Sequence, residues 1–336
     1  MTAETASSVT SNTETDDRKG GDAPVAIIGA GSIGSGFALQ YALSGLLVKL
    51  YDEFPDAFSA AVMSIRSNLA SLADAGLTTA TEAQVLGRIH AAESLEDAVA
   101  GVQWVQECAP ENLQLKQKLF ARLDQCAPAE AILASSSSAM PASRFASGLP
   151  GSSRCLVAHP GNPPYLLRVI ELVPAKFTDP DVVRRAELFS RRVGLHPVLV
   201  RREVEGFIFN RLQGAMLREA YCLVRDGVAS VDDIDTLVRL GLGLRWSVVG
   251  PFETVDLNTR GGIASHAEKL GPAYARMGAE RGQDDPWTQE LVAAVEAQRR
   301  SLLPLDQWQA RVTWRDRALM QRLSAAQGDT ANDADT

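Results

Sequence analysis

Val25-Ala26-Ile27-Ile28 runs straight into Gly29-Ala30-Gly31-Ser32-Ile33-Gly34, and these ten residues read as a strand, a tight turn and the start of a helix. Four consecutive apolar residues fit a strand covered on both faces. Ser32 to Ser44 continues as a helix, and Leu46 to Tyr51 supplies a second strand that closes on Asp52. Glycines at this spacing are weak evidence alone. Between a strand and a helix, with an acidic residue 23 positions after the first glycine, they form the pattern of a dinucleotide-binding turn. Gly29 permits the turn, Gly31 lets the backbone approach a pyrophosphate, and Gly34 lets helix and strand pack closely. The helix start at Ser32 and Ile33 offers unpaired N–H groups to the phosphates. Asp52 is placed to accept hydrogen bonds from a ribose, and together with Glu53 it repels a 2′-phosphate, so the expected cofactor is NAD rather than NADP. The competing reading is a glycine-rich turn that holds no ligand.

Outward from this turn the chain alternates strand and helix. Helical patterns cover 54–76 and Leu113 to Cys126; strands are expected near Ile89, at Val102 to Glu107, Ala131 to Ser135, Arg154 to Ala158, Arg168 to Val173 and Pro197 to Val200. A further helix covers Asp181 to Val193. Such alternation predicts an α/β fold of Rossmann type, a parallel sheet with helices on both faces. After about Arg202 the strand signal stops, and Gly206 to Asp226, Val231 to Leu240 and much of 262–324 read as helix. The expected plan is a polar, disordered tail over 1–22, an NAD-binding domain over 23–202, an all-helical substrate and dimerisation domain over 203–324, and a second disordered tail over 325–336.

Composition narrows the class. The 336 residues are 46% hydrophobic and 22% charged with net charge −8, and no basic block suits nucleic acid or an anionic membrane. Residues 23–48 carry no charge, a length that suggests a membrane span. Gly29, Gly31, Gly34, Gly36 and Gly45, with Ser32, Ser35 and Gln40, break that stretch into strand, turn and helix, so no span is expected. Cys108, Cys126, Cys155 and Cys222 lie too far apart for a CxxC metal site and read as reduced thiols of a cytoplasmic protein; no metal is expected.

The chain has four histidines, and His159 is followed by Pro160-Gly161-Asn162-Pro163-Pro164 just after an apolar run. Twelve residues on, Glu171 interrupts the apolar Val169-Ile170-Glu171-Leu172-Val173. A carboxylate inside a buried strand is costly unless paired. Histidine is a suitable partner: the carboxylate fixes the imidazole tautomer and leaves the second nitrogen free for proton transfer. A purely structural pair that satisfies core polar groups fits the same spacing.

Together these motifs resemble the 3-hydroxyacyl-CoA dehydrogenase superfamily, and within it the lambda-crystallin and L-gulonate 3-dehydrogenase branch. The resemblance runs from about Val25 to about Lys269. Besides the glycine turn and Asp52 it rests on Glu107-Cys108-Ala109-Pro110-Glu111-Asn112-Leu113, on Ser135 to Ser138, on His159 to Tyr165 and Glu171 to Pro174, on Gly206-Phe207-Ile208-Phe209-Asn210-Arg211 and on Gly250-Pro251-Phe252-Glu253-Thr254. It implies that His159 is the catalytic base and Glu171 its partner, that Ser138 hydrogen-bonds the reacting oxygen and Asn210 holds the substrate beside it. It further implies that Glu111 and Lys116 contact NAD, that Asn162 lines the cleft, and that the protein is a homodimer. Ser136 or Ser137 replaces Ser138 if the register slips, and Asn210 would alternatively only stabilise its helix.

The substrate is read from charge. Residues 54–101 contain only Arg66 and Arg88 as firm cations, which disfavours the phosphates of CoA. Arg245, in Gly241-Leu242-Gly243-Leu244-Arg245-Trp246, suits a free carboxylate through paired hydrogen bonds, or is an exposed arginine at a helix end. The expected substrate is a small 3-hydroxy acid such as L-gulonate. A short 3-hydroxyacyl-CoA and carnitine are the alternatives, with Trp246, Phe252 and Tyr165 as candidate cage aromatics for carnitine. A non-catalytic NAD-binding structural protein is the reading from another class. Gly161 is smaller than the side chain usual in the resembled families and is expected to enlarge the pocket. From about Arg281 onward, including Asp284 to Trp287 and Trp308 to Trp314, only helix packing is read.

Overall fold

The computed structural model describes residues 23–283 and 288–314; the expected tails and Asp284 to Trp287 lie outside the described residues. Among the described residues, eight strands form one sheet: β1 (Val25–Ile28), β2 (Val48–Tyr51), β3 (Ile89–Ala91), β4 (Trp104–Glu107), β5 (Ile132–Ser135), β6 (Cys155–Pro160), β7 (Val169–Pro174) and β8 (His196–Leu199). Their spatial order is β3-β2-β1-β4-β5-β6-β7-β8. The first six are parallel, and the order reverses between β1 and β4, the crevice where open α/β sheets bind ligands.

The strands divide their side chains by period two. Val25, Ile27, Val48, Leu50 and Trp104 pack on one face against α1 (Ser32–Leu43) and α2 (Ala57–Asp74). Ala26, Ile28, Val105 and Leu133 pack on the other against Phe120 and Leu123 of α3 (Leu113–Cys126). Both faces are covered, so the strands are continuous apolar runs rather than alternating ones. Each fully buried large aliphatic side chain contributes about 1.5–3 kcal/mol to this sandwich. Helix α1 is buried on nearly every side, from Gly34 through Ala42, because α2 covers the face turned away from the sheet.

The expectation of a parallel sheet fails at its far edge. β7 runs antiparallel to β6, and β8 pairs parallel with β7. Only the short loop 161–168 joins β6 to β7, too short for the helical crossover that a parallel pair needs. This reversal sets His159 directly opposite Glu171. Helix α4 (Pro180–Arg192) then covers the sheet through Val182, Ala186 and Phe189.

By internal contacts the chain divides into compact units on either side of Met216 and Leu217. Helix α5 (Phe209–Arg225) therefore starts within the α/β unit and carries the chain out of it. The second unit is helical, with α6 (Pro251–Asn258), α7 (Gly262–Glu280) and α8 (Gln289–Leu302). The helix expected to reach Leu240 ends at Leu237 and passes into a π-helical turn, Val238–Gly243. Packing in this unit includes a buried ion cluster. Asp256, with no exposed surface, pairs with Arg300 and Arg299, and its carbonyl accepts from the Trp308 indole at 2.7 Å. Arg311 pairs with Glu253 at 2.7 Å. The segment after Arg281 thus clamps the helix that begins at Pro251. Among the described residues, no helix is long and apolar enough to cross a membrane.

Candidate active site

The glycine turn is built by close approach. Gly29 has φ 105°, and a side chain on it would stand 2.8 Å from the backbone of Cys108 at the end of β4. A side chain on Gly34 would overlap the Gly29 carbonyl oxygen. Gly31 faces open space, with no atom within 4 Å of where a Cβ would sit. It also caps α1 without any side-chain acceptor, so the first N–H groups of the helix, at Ser32 and Ile33, are left for an anion. The Ile33 side chain packs against the core. Asp52 follows β2, its carboxylate accepting from Ala30 N at 2.7 Å and Phe54 N at 3.0 Å. The open Gly31 face, the uncapped helix start and the fixed carboxylate fit the pyrophosphate and ribose of NAD.

The ends of β4 and β5 carry a second layer that the sequence did not reveal. Lys116 is 1% exposed, and its ammonium donates to both oxygens of the fully buried Glu107 at 2.8 Å. The Ser135 hydroxyl donates to Glu107 as well. Glu111 sits 3.8 Å from the same ammonium and accepts from the Ser137 hydroxyl. Lys116, expected to reach NAD, is thus beneath the surface as the counter-ion of Glu107. On the opposite side of β4, Gln106 accepts from Tyr41 and Trp104 and donates to the Ser136 hydroxyl at 2.9 Å. Burial pushes the neighbouring Cys108 thiol up to about 12.

These contacts bear on the register of the serine run. Ser135, Ser136 and Ser137 each spend their hydroxyl on an internal partner. Ser138 is exposed, and among the described residues its hydroxyl has no hydrogen bond. Its carbonyl accepts from the Asn210 amide at 2.7 Å, so the two residues expected around the reacting oxygen lie together.

His159 Nδ1 lies 2.8 Å from Glu171 Oε2, and the residues are 7% and 4% exposed. A carboxylate oxygen accepts, so Nδ1 carries the hydrogen and Nε2 is the nitrogen left for proton transfer. The other oxygen, Oε1, accepts from Ile208 N at 2.7 Å and Phe209 N at 3.0 Å. The rings of Phe207 and Phe209 stand 5.7 and 6.2 Å from the imidazole. Ile208, Phe207 and Phe209 had no assigned role in the sequence; their motif was visible, but backbone donors and ring walls leave no residue-type signature. Asn162 is exposed on the loop after β6.

Gly161 corrects an expectation. A Cβ there would lie 2.8 Å from the Leu167 side chain and carbonyl and 3.1 Å from Val169. The missing side chain makes room for the returning loop and does not enlarge a pocket. Arg245 belongs to the helical unit, in the short helix Leu244–Trp246. It borders an open, apolar groove of about 420 Å³ with Leu237, Leu240 and Leu244, and among the described residues its buried Nε has no hydrogen-bond partner. Among the described residues, no group of His, Cys, Asp and Glu is arranged to hold a metal.

Sheet order, glycine turn and the fixed carboxylate define a dinucleotide-binding protein of Rossmann type. Comparison with known proteins narrows the class. The chain belongs to the 3-hydroxyacyl-CoA dehydrogenase family: the model of its NAD binding domain matches residues 24–204 and that of its C-terminal domain residues 206–303. A lambda-crystallin homolog of Bos taurus is 40% identical over 90% of this chain and 96% of its own length. An L-carnitine dehydrogenase of Streptomyces griseus is 38% identical over 79% of this chain and 76% of its own. Among solved structures, 5-formyl-3-hydroxy-2-methylpyridine 4-carboxylic acid 5-dehydrogenase, an NAD+ dependent dismutase, is similar with TM-score 0.67 and 28% identity, over 85% of this chain and 98% of that one.

Proposed function

We propose that this dehydrogenase oxidises the 3-hydroxyl of a small free hydroxy acid, of the L-gulonate type, to the 3-keto acid, with His159 as the base. The observation that carries the reading is the His159–Glu171 pair, whose geometry leaves Nε2 as the proton-transfer atom. Bound NAD supplies the hydride acceptor. His159 Nε2 takes the hydroxyl proton as the carbinol carbon becomes a carbonyl. Glu171 offsets the charge that the ring acquires. Ser138 and Asn210 hold the reacting oxygen, an assignment supported by their contact. In the reverse direction His159 returns the proton to the ketone. Around this centre Gly29, Gly31, Ser32, Ile33, Gly34, Asp52 and Glu111 hold the cofactor, Lys116, itself fixed by Glu107, stands 3.8 Å from Glu111 and steadies it, and Asn162 faces the substrate.

Two charge observations favour a free acid over a CoA ester. Arg66 is paired with Glu82 at 2.7 Å, and Arg88 donates to the Ala42 carbonyl at 3.1 Å, so the two cations of residues 54–101 are already engaged. Arg245 borders an apolar groove, where a guanidinium suits a carboxylate. The test is NADH formation with L-gulonate, 3-hydroxybutyrate, 3-hydroxybutyryl-CoA and L-carnitine. Highest turnover with a free acid is expected; preference for the CoA ester or for carnitine overturns the substrate class, and no turnover with any of the four overturns the reading as a whole. His159→Gln should abolish turnover while NADH still binds.

A homodimer belongs to the same proposal. In the helical unit Tyr221 is 75% exposed, and Leu237, Leu240 and Met277 are exposed as well, apolar side chains suited to burial against a second copy. Light scattering behind gel filtration should give twice the chain mass.

A further inference from the structure

The base reading treats Glu171 as the partner of His159, yet half of that carboxylate is engaged elsewhere. Oε1 accepts from two successive backbone amides, Ile208 N and Phe209 N, of the residue before and the first residue of the 17-residue helix α5. Those amides point at it because the chain turns through two left-handed residues just before them: Gly206 has φ 75° and Phe207, fully buried, has φ 51°. A bulky residue rarely adopts that conformation, and one that does is held there by its surroundings. Here the Phe207 ring is packed into the core and against the imidazole.

We propose that the turn Gly206–Phe207 and the two amides that follow it are a positioning device for the proton-transfer pair. The inference rests on the base reading above and extends it. A carboxylate bonded only to His159 can rotate about its last torsion and present either oxygen, or swing away. Bonded at Oε1 by two fixed donors, it presents Oε2 to Nδ1 in one orientation, and the imidazole is fixed in turn. Second partners of this kind set the orientation and tautomer of a working histidine. The donors belong to the backbone, so among side-chain substitutions only proline removes one of them. They also belong to the helix that carries Asn210, one residue after Phe209. The same turn of helix therefore places the group that contacts Ser138 and the carboxylate that orients the base.

Proline tests this, because Phe209 is the first residue of α5, where proline fits a helix and lacks only the N–H. Phe209→Ala is the control: it removes the ring beside His159 and keeps the amide. With the most active of the four probes above, Phe209→Pro should lower kcat about tenfold relative to Phe209→Ala, or about 1.4 kcal/mol, with KM and NADH affinity within about twofold. An independent readout is the most downfield imidazole N–H proton in the NMR spectrum, assigned by its absence from His159→Gln. It should persist in Phe209→Ala and shift or vanish in Phe209→Pro. Equal kcat and an unchanged resonance in the two variants overturn the inference. If Phe209→Pro fails to bind NADH, Gly206→Ala decides. It keeps both amides and the Phe209 ring, and its Cβ would meet nothing closer than 3.5 Å, so it strains only the turn. A fall in kcat with NADH binding intact supports the device; an unchanged kcat overturns it. The two readings fail separately. A still active His159→Gln removes the base itself, whereas an inactive His159→Gln beside indistinguishable Phe209 variants removes only the positioning device.

Discussion

Replacing Glu171 by glutamine keeps the shape of the side chain and removes its ability to accept on both sides. The carboxylate accepts from His159 Nδ1, Ile208 N and Phe209 N at 2.8, 2.7 and 3.0 Å. A glutamine has one oxygen for these three donors. If its NH2 group faced the two amides, donors would oppose donors, and each buried unpaired N–H would cost about 1–3 kcal/mol. The oxygen therefore turns to Ile208 and Phe209, and the NH2 group faces Nδ1. Nδ1 must then accept, and the ring proton moves to Nε2, the atom required to be bare. The base is lost to the wrong tautomer, and no countercharge remains for the imidazolium. A loss of this type lowers kcat by on the order of 10³ to 10⁴, equivalent to about 4–5.5 kcal/mol in the barrier. The fold should lose much less, since the charge removed from the start of α5 is worth about 0.3–1 kcal/mol. Steady-state NADH formation measures the first quantity; a thermal melt and an NADH fluorescence titration measure the second and show that the site is intact. A Glu171→Gln enzyme that binds NADH and turns over within tenfold of the unmodified protein refutes the reasoning. Glu171→Ala is the poorer test, because it orphans three donors and opens a cavity together.

Asp52→Ser removes the proposed ribose acceptor and the carboxylate that holds Ala30 N, so KM for NAD should rise at least about tenfold and the preference over NADP should shrink; an unchanged preference sinks the ribose assignment. Gly161→Ala should lower stability by about 1–3 kcal/mol through overpacking against Leu167 and Val169, whereas an unchanged melting temperature with an altered KM would restore the enlarged-pocket reading. Burial pushes the Cys108 and Cys155 thiols up to about 12, so both remain thiols at about pH 8. Peptide mass spectrometry after iodoacetamide should find both unlabelled in the native protein and labelled in urea; rapid native labelling of Cys155 contradicts its burial, and rapid labelling of the half-buried Cys108 contradicts its raised pKa.

The features legible beforehand are those that local chemistry determines. β1, the glycine turn, α1 and β2 form a contiguous run in which each residue type answers a local need: apolar residues for a strand covered on both faces, Gly29 for a positive φ, an acidic residue at the next strand end. All eight strands fall within a few residues of where hydrophobic runs placed them. His159 and Glu171 stood out in the sequence because a polar residue beside or inside an apolar run has to be explained, whereas Ser138 and Asn210 were implied by the family resemblance alone.

Features created by long-range contacts were hidden. Hydrophobic runs mark β6 and β7 without their relative direction, and the antiparallel pairing that opposes His159 to Glu171 follows from the path of one loop. The family resemblance puts Lys116 at the cofactor, and the sequence does not show that Glu107, nine residues earlier, shares its buried pocket. Gly161 looked like empty space because the atoms that fill it arrive from Leu167 and Val169 after the chain reverses. The second half of the Glu171 carboxylate is bound by amides 37 and 38 residues away, and every amino acid except proline has such an amide. Sequence by itself determined which chemical groups this protein owns and which local elements carry them. Tertiary structure alone decided which groups meet, because a hydrogen bond between distant backbone and side-chain atoms depends on where the folded chain crosses itself.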